Sequence, residues 1–147
     1  TEIDDQSYYD AAAEAIETFR QAYPDTIFSV GEGCNADPFE LSLALLRYGF
    51  QVAEILGNPA AENFVYIKKI AQLSPETRIY SNLEPTMLYY ECSEEFAHIT
   101  IGRDAAYYHP DCPNVEWSED IQPFGYAGVK LLFEQLLLAR QGKESTV

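Results

Sequence analysis

The chain has 147 residues, enough for one domain with a real core, and its hydrophobic fraction of 47% fits a folded globular protein. Its 24 acidic and 9 basic residues leave a formal charge of −15, which repels phosphate backbones and argues against nucleic acid as a partner. The longest apolar runs fall short of the ~20 residues a membrane helix needs, and the acidic start Thr1-Glu2-Ile3-Asp4-Asp5 has no signal-peptide core after it. The acidity reads first as a device for solubility, with room left for a basic protein partner. Cys34, Cys92 and Cys112 are an odd, widely spaced set, so a disulfide framework is not expected and a reduced cytoplasmic setting is. The chain starts without Met, which suggests a processed product or a piece of a longer polypeptide.

The first predicted element is a helix over about residues 6–22. Tyr8, Ala12, Ala15, Ile16 and Phe19 fall three and four apart on one stripe, and Tyr23-Pro24-Asp25 ends it. Ile27 to Val30 is a short apolar run suited to a buried strand. Gly31 and Gly33 permit a sharp turn, and Asp37-Pro38-Phe39-Glu40 is a helix start, with a cap, a proline at the first position and a carboxylate. That helix has Leu41, Leu45 and Tyr48 on one face, widened by Leu43 and Leu46, and Gly49 stops it.

A second strand follows over Gln51 to Leu56, then a helix over 61–73. Phe64, Ile67, Ile70 and Ala71 are expected inward there, and Lys68 and Lys69 outward. The pattern then predicts a strand over Arg78 to Ser81, a short helix between Pro85 and Cys92, and a strand over Ala97 to Ile101. A short helix over Arg103 to Tyr108, a weak strand over Asn114 to Trp117 and a last helix over 124–140 complete it. The polar tail from Gln141 is expected to fray. Leu131, Leu132, Phe133, Leu136, Leu137 and Leu138 cover most of the last helix. This implies either a covering partner or a place under the first helix. Strands alternating with helices predict a single three-layer α/β/α domain over residues 1–147, with a four- to five-stranded parallel, Rossmann-like sheet.

Ligands of open parallel sheets bind outside the carboxyl ends of the strands. That rule places Gly31, Glu32, Gly33, Cys34 and Asn35 after the first strand, and Ser81, Asn82 and Glu84 after the third. Arg103 and Asp104 follow the fourth, and Ser118 to Gln122 the fifth. These form the candidate rim. Gly31-Glu32-Gly33-Cys34-Asn35-Ala36 matches a dinucleotide fingerprint, with Glu54 near the ribose-binding spacing. We discount it, because Glu32 and Asp37 set two negative charges where a pyrophosphate would lie. His98 reads as a core or interface residue rather than a ligand. His109 and Cys112 could ligate a metal, but two ligands are not a site. Cys34 is the best-placed thiol, its pKa pulled up by Glu32 and down by the helix N-terminus.

The stretch from Val30 through Gly33-Cys34-Asn35-Ala36-Asp37-Pro38-Phe39-Glu40 to Phe50 resembles the first βα unit of the C-terminal domain of nitrogenase component 1 type proteins. Ile79 to Pro85, Ile101 to His109, and Pro123 to Gly128 support the resemblance, which spans about residues 27–138. It implies the last of three similar domains in an oxidoreductase subunit that pairs with a homologous subunit. It further implies electrons from an ATP-dependent reductase and an iron–sulfur or related metallocluster in the full-length complex.

The family's bridging-cluster cysteines belong to an N-terminal domain that this sequence lacks. The catalytic subunit's cofactor-binding His has no counterpart between residues 113 and 128. No cluster ligand is therefore carried over, no cofactor is expected within this fragment alone, and an assembly scaffold or uncharacterised homologue fits better than a catalytic subunit. In this reading Gly31, Glu32, Gly33, Cys34, Asn35, Ser81, Asn82 and Arg103 wall a cofactor or substrate cavity, and the last helix docks on sister domains. Arg103 is the rim's one cation, suited to an anionic cluster or carboxylate unless Asp104 or Glu84 neutralises it. The alternative is a stand-alone Rossmann-like module that binds a small molecule or a partner without redox chemistry.

Overall fold

The computed structural model describes residues 5–32, 37–81, 97–117 and 125–145. Helix α1 spans Asp5–Ala22, strand β1 Ile27–Gly31, helix α2 Pro38–Arg47 and strand β2 Gln51–Leu56. A 3-10 turn at Ala61–Asn63 leads into α3, Phe64–Leu73. Strands β3 (Arg78–Tyr80) and β4 (Ile99–Ile101), helix α4 (Arg103–Tyr108), strand β5 (Asn114–Val115) and helix α5 (Gly125–Ser145) follow. All strand pairings are parallel, in the order β3-β2-β1-β4-β5, so the sheet is five-stranded and Rossmann-like with β1 at its centre. The expected helix between 85 and 92 lies outside the described residues.

The two faces of the sheet differ in chemistry. Phe28, Val30, Val52, Ile55, Ile99 and Ile101 are buried with residues of α1, α2, α3 and α5 in one apolar core. Phe19 anchors it, its ring 5.6 Å from Phe50 and 5.7 Å from Phe133. Alternation sends Ser29, Glu54 and Thr100 to the opposite face, where each is fully buried. There α4 packs through Ala105 on Leu56. The register shifts between Phe28 and Ser29, so that Val52 and Glu54 pair with successive β1 residues. Ala53 is thus the extra residue of a bulge, and the bulge sets Glu54 opposite Ser29.

The start of α2 follows its sequence signal. Asp37 Oδ1 accepts from the N–H groups of Phe39 at 2.8 Å and Glu40 at 3.1 Å, with Pro38 in the first turn. Its other oxygen accepts from Asn63 Nδ2 at 2.6 Å, which ties α2 to the entry of α3. Asp37→Ala should lower the stability of the domain by about 1–2 kcal/mol, the usual cost of a lost cap, read from urea denaturation midpoints.

Four expectations are corrected. Tyr8 is exposed, while its neighbour Tyr9 is the residue of that turn that meets α5, at the Tyr126 ring. Phe64 and Ala71 are exposed on α3, which flanks the sheet's β3 edge and buries only Ile70 fully. The tail does not fray at 141: α5 continues to Ser145, since Gln, Lys and Glu extend a nucleated helix at low cost and Gly142 alone opposes it. β4 starts at Ile99 rather than Ala97, and β5 ends at Val115 rather than Trp117. Of the two places weighed for the last helix, the structure shows it beside α1. Leu132, Phe133 and Leu136 are buried and Leu138 is left 67% exposed. Among the described residues no helix is long and apolar enough to cross a membrane.

Candidate functional site

At the carboxyl edge of the sheet Ser81, Asn58, Glu32 and Asp104 form one hydrogen-bonded chain. Ser81 Oγ donates to Asn58 Oδ1 at 2.6 Å. Asn58 in turn donates from its backbone N–H to Glu32 Oε1 at 3.0 Å and from Nδ2 to Oε2 at 3.4 Å. The backbone of Glu32 donates to Leu56 O at 3.0 Å and accepts from the Asp104 N–H at 3.1 Å. Glu32 therefore links the ends of β1 and β2 to the start of α4, and Ser81 is linked to it through Asn58. Asn58 is a rim residue that sequence reasoning missed; its signal was the Gly57-Asn58-Pro59 turn directly after β2.

The switch point between β1 and β4 is closely packed. A Cβ placed on Gly31 would lie 2.5 Å from the Ala105 nitrogen, so α4 fills the space a side chain would need. Gly102 lies at φ 94°, and a Cβ there would run into the Gly31 carbonyl oxygen. This packing brings Arg103 and Asp104 beside Glu32. Arg103 is exposed and makes no ion pair among the described residues. Tyr108, at the other end of α4, has its phenol pKa raised, chiefly by burial and then by Tyr107 and Asp104. Gly33, Cys34, Asn35, Asn82, Glu84 and residues 118–122 lie outside the described residues.

Behind the rim is a cluster that sequence reasoning did not assemble. Glu54 is fully buried, accepts a hydrogen bond from Ser29 Oγ at 2.8 Å, and is paired with His109 Nε2. A carboxylate held there cannot reach a ribose, which removes the acidic residue the dinucleotide fingerprint required. His109 is the residue that ends α4, and it faces Glu54 rather than Cys112, whose Sγ contacts the Ala97 carbonyl at 3.2 Å. His98 is exposed, not in the core; its Nδ1 accepts from the Ile27 N–H at 3.0 Å. No group of three metal-ligating side chains occurs among the described residues.

The fold is that of one part of a nitrogenase chain. Superposed on a chain of the solved structure described as "Nitrogenase Cp1 at pH 6.5", 95% of this chain is covered at a TM-score of 0.71, with 13% sequence identity. This chain spans 33% of that chain's length. No family model matches the sequence, and no curated protein matches it. The similarity is one of architecture: a parallel α/β domain resembling one portion of the larger nitrogenase chain.

Proposed function

We propose that this chain is the C-terminal domain of a nitrogenase component 1 type oxidoreductase or metallocofactor-assembly scaffold. The observation that carries the reading is the superposition of nearly the whole chain on one third of a nitrogenase chain. The motif resemblance over residues 27–138 supports it independently, since 13% identity could not by itself carry it. In this role the domain does no chemistry alone. Its rim, from Gly31 and Glu32 through Ser81 to Arg103, walls a cavity shared with sister domains and a homologous subunit, and an ATP-dependent reductase delivers electrons to the complex.

The described rim fits a wall better than a ligand set. Glu32 and Ser81 spend hydrogen bonds on Asn58, which fixes the edge of the sheet. Arg103 is the exposed cation there, placed to offset negative charge on a metallocluster or a carboxylate. The test is iron and acid-labile sulfide analysis of the native full-length polypeptide, purified without oxygen. Several irons per chain are expected with matching sulfide, and Arg103→Ala should lower the cofactor content with the fold intact by circular dichroism. Absence of iron would overturn the reading in favour of a small-molecule or partner-binding module. Unchanged cofactor content in the variant would remove Arg103's role.

A further inference from the structure

Helix α4 is held to the sheet by different contacts at its two ends. Its start is pinned through the backbone: the Gly102 N–H donates to Val115 O at 2.9 Å, and the Asp104 N–H to Glu32 O at 3.1 Å. Its end, about 9 Å further along the helix axis, is met through side chains. There His109, 4% exposed, pairs through Nε2 with Glu54 Oε1, and Ser29 Oγ donates to the same oxygen at 2.8 Å.

Between these ends the apolar seat is small. Among the described residues it consists of Ala105 on Leu56, with Tyr80 and Tyr108 partly buried against them. Burial of that kind has no preferred direction, so a helix resting on one alanine can swing about a pinned start and lose little contact. A hydrogen bond weakens steeply as its angle closes, and therefore does fix a direction. The acceptor is itself held in place. Ser29 and Glu54 stand on β1 and β2, two inner strands of the sheet, and the bulge at Ala53 sets them opposite each other. Bulges commonly re-aim a side chain in this way. Replacing a buried ionisable pair by apolar residues is often neutral or stabilising, so stability alone does not account for a pair in this position.

We infer that Glu54 and His109 are positioning residues: their contact locks the far end of α4, so that the helix keeps one orientation over the switch point. Arg103 and Tyr107, one helical turn apart, are both exposed, Tyr107 by 78%. A swing of α4 about its start would rearrange this surface. The lock thus sets the shape of the rim, and it does so whether or not the rim walls a metallocofactor.

The experiment is amide hydrogen exchange of the native full-length protein, read by mass spectrometry on peptides from α4 and, as an internal reference, from β1 and β2. Glu54→Leu with His109→Leu should keep a cooperative urea transition, yet speed exchange in α4 roughly tenfold while β1 and β2 stay as in the native protein. Glu54→Gln keeps an acceptor oxygen for His109 and Ser29 without the carboxylate, and should hold α4 exchange within about threefold of native. Exchange in the double-leucine protein as slow as native would mean that the apolar seat is enough, and would overturn the inference. Exchange in Glu54→Gln as fast as in the double-leucine protein would make charge, not direction, the decisive property, and would overturn it too. Loss of the fold in the double-leucine protein, or faster exchange in β1 and β2 as well as α4, would assign the pair to global stability and have the same consequence.

Discussion

His109→Ala is expected to destabilise the domain by about 3–5 kcal/mol, the usual cost of breaking a buried acid–base pair by removing one member. Glu54 has no exposed surface and the His109 side chain is 3% exposed, so the contact is lost in a site shielded from bulk water. Ser29 Oγ would remain as a donor at 2.8 Å, while the hydrogen bond from His109 would be lost to a fully buried carboxyl group. Set against the roughly 5–15 kcal/mol that holds a typical domain together, such a loss removes a large fraction of the stability. Urea denaturation of both proteins measures it. His109→Gln keeps an N–H donor and should recover a part. Replacing Glu54 and His109 together by leucine should cost less than His109→Ala alone, because neither member of the pair is then left alone. If His109→Ala shifts the midpoint no more than an exposed substitution such as Glu76→Ala, the pair does not hold α4 to the sheet.

The pairing explains where sequence reading stopped. Elements whose signals are local were legible: the Asp37 cap, the Pro38 start and the strand beginnings at Ile27, Gln51, Arg78 and Asn114 all lie where patterning put them. Glu54 and His109 are 55 positions apart, and nothing local announces their contact. Two weaker signs were present. Glu54 interrupts an apolar strand, and Ser29 interrupts its neighbour, so two polar residues point to the same sheet face. A bulge at Ala53 aligns them, and bulges leave no clear mark in a six-residue strand. Tyr8 and Phe64 failed for a different reason. Periodicity tells which face of a helix is apolar, but not whether any other element reaches far enough to cover it. At the rim, the rule for open parallel sheets located Glu32, Ser81 and Arg103 correctly at strand ends. It could not show that Asn58 joins Glu32 to Ser81.

Gly102→Ala should destabilise the domain by more than about 2 kcal/mol, and Gly49→Ala by less, although both glycines lie at φ 94°. The backbone term is common to the two: an L side chain in that region costs about 1–2 kcal/mol. The surroundings differ. At Gly49 an added Cβ would meet only the Arg20 guanidinium tip at 3.9 Å, an ordinary contact. At Gly102 it would run into the carbonyl oxygen of Gly31 and lie 3.0 Å from that of Glu32, and neither is free to move. Gly31 is the last residue of the central strand and is pressed by Ala105, while the Glu32 carbonyl accepts from the Asp104 N–H. Relief would require α4 to lift from the end of β1, which carries Arg103 and Asp104 away from Glu32. The difference between the two denaturation midpoints therefore isolates the close approach of backbones at the switch point from backbone conformation. Equal losses would mean that α4 can shift there at little cost, and a rim built on its start would not hold a fixed shape around a ligand.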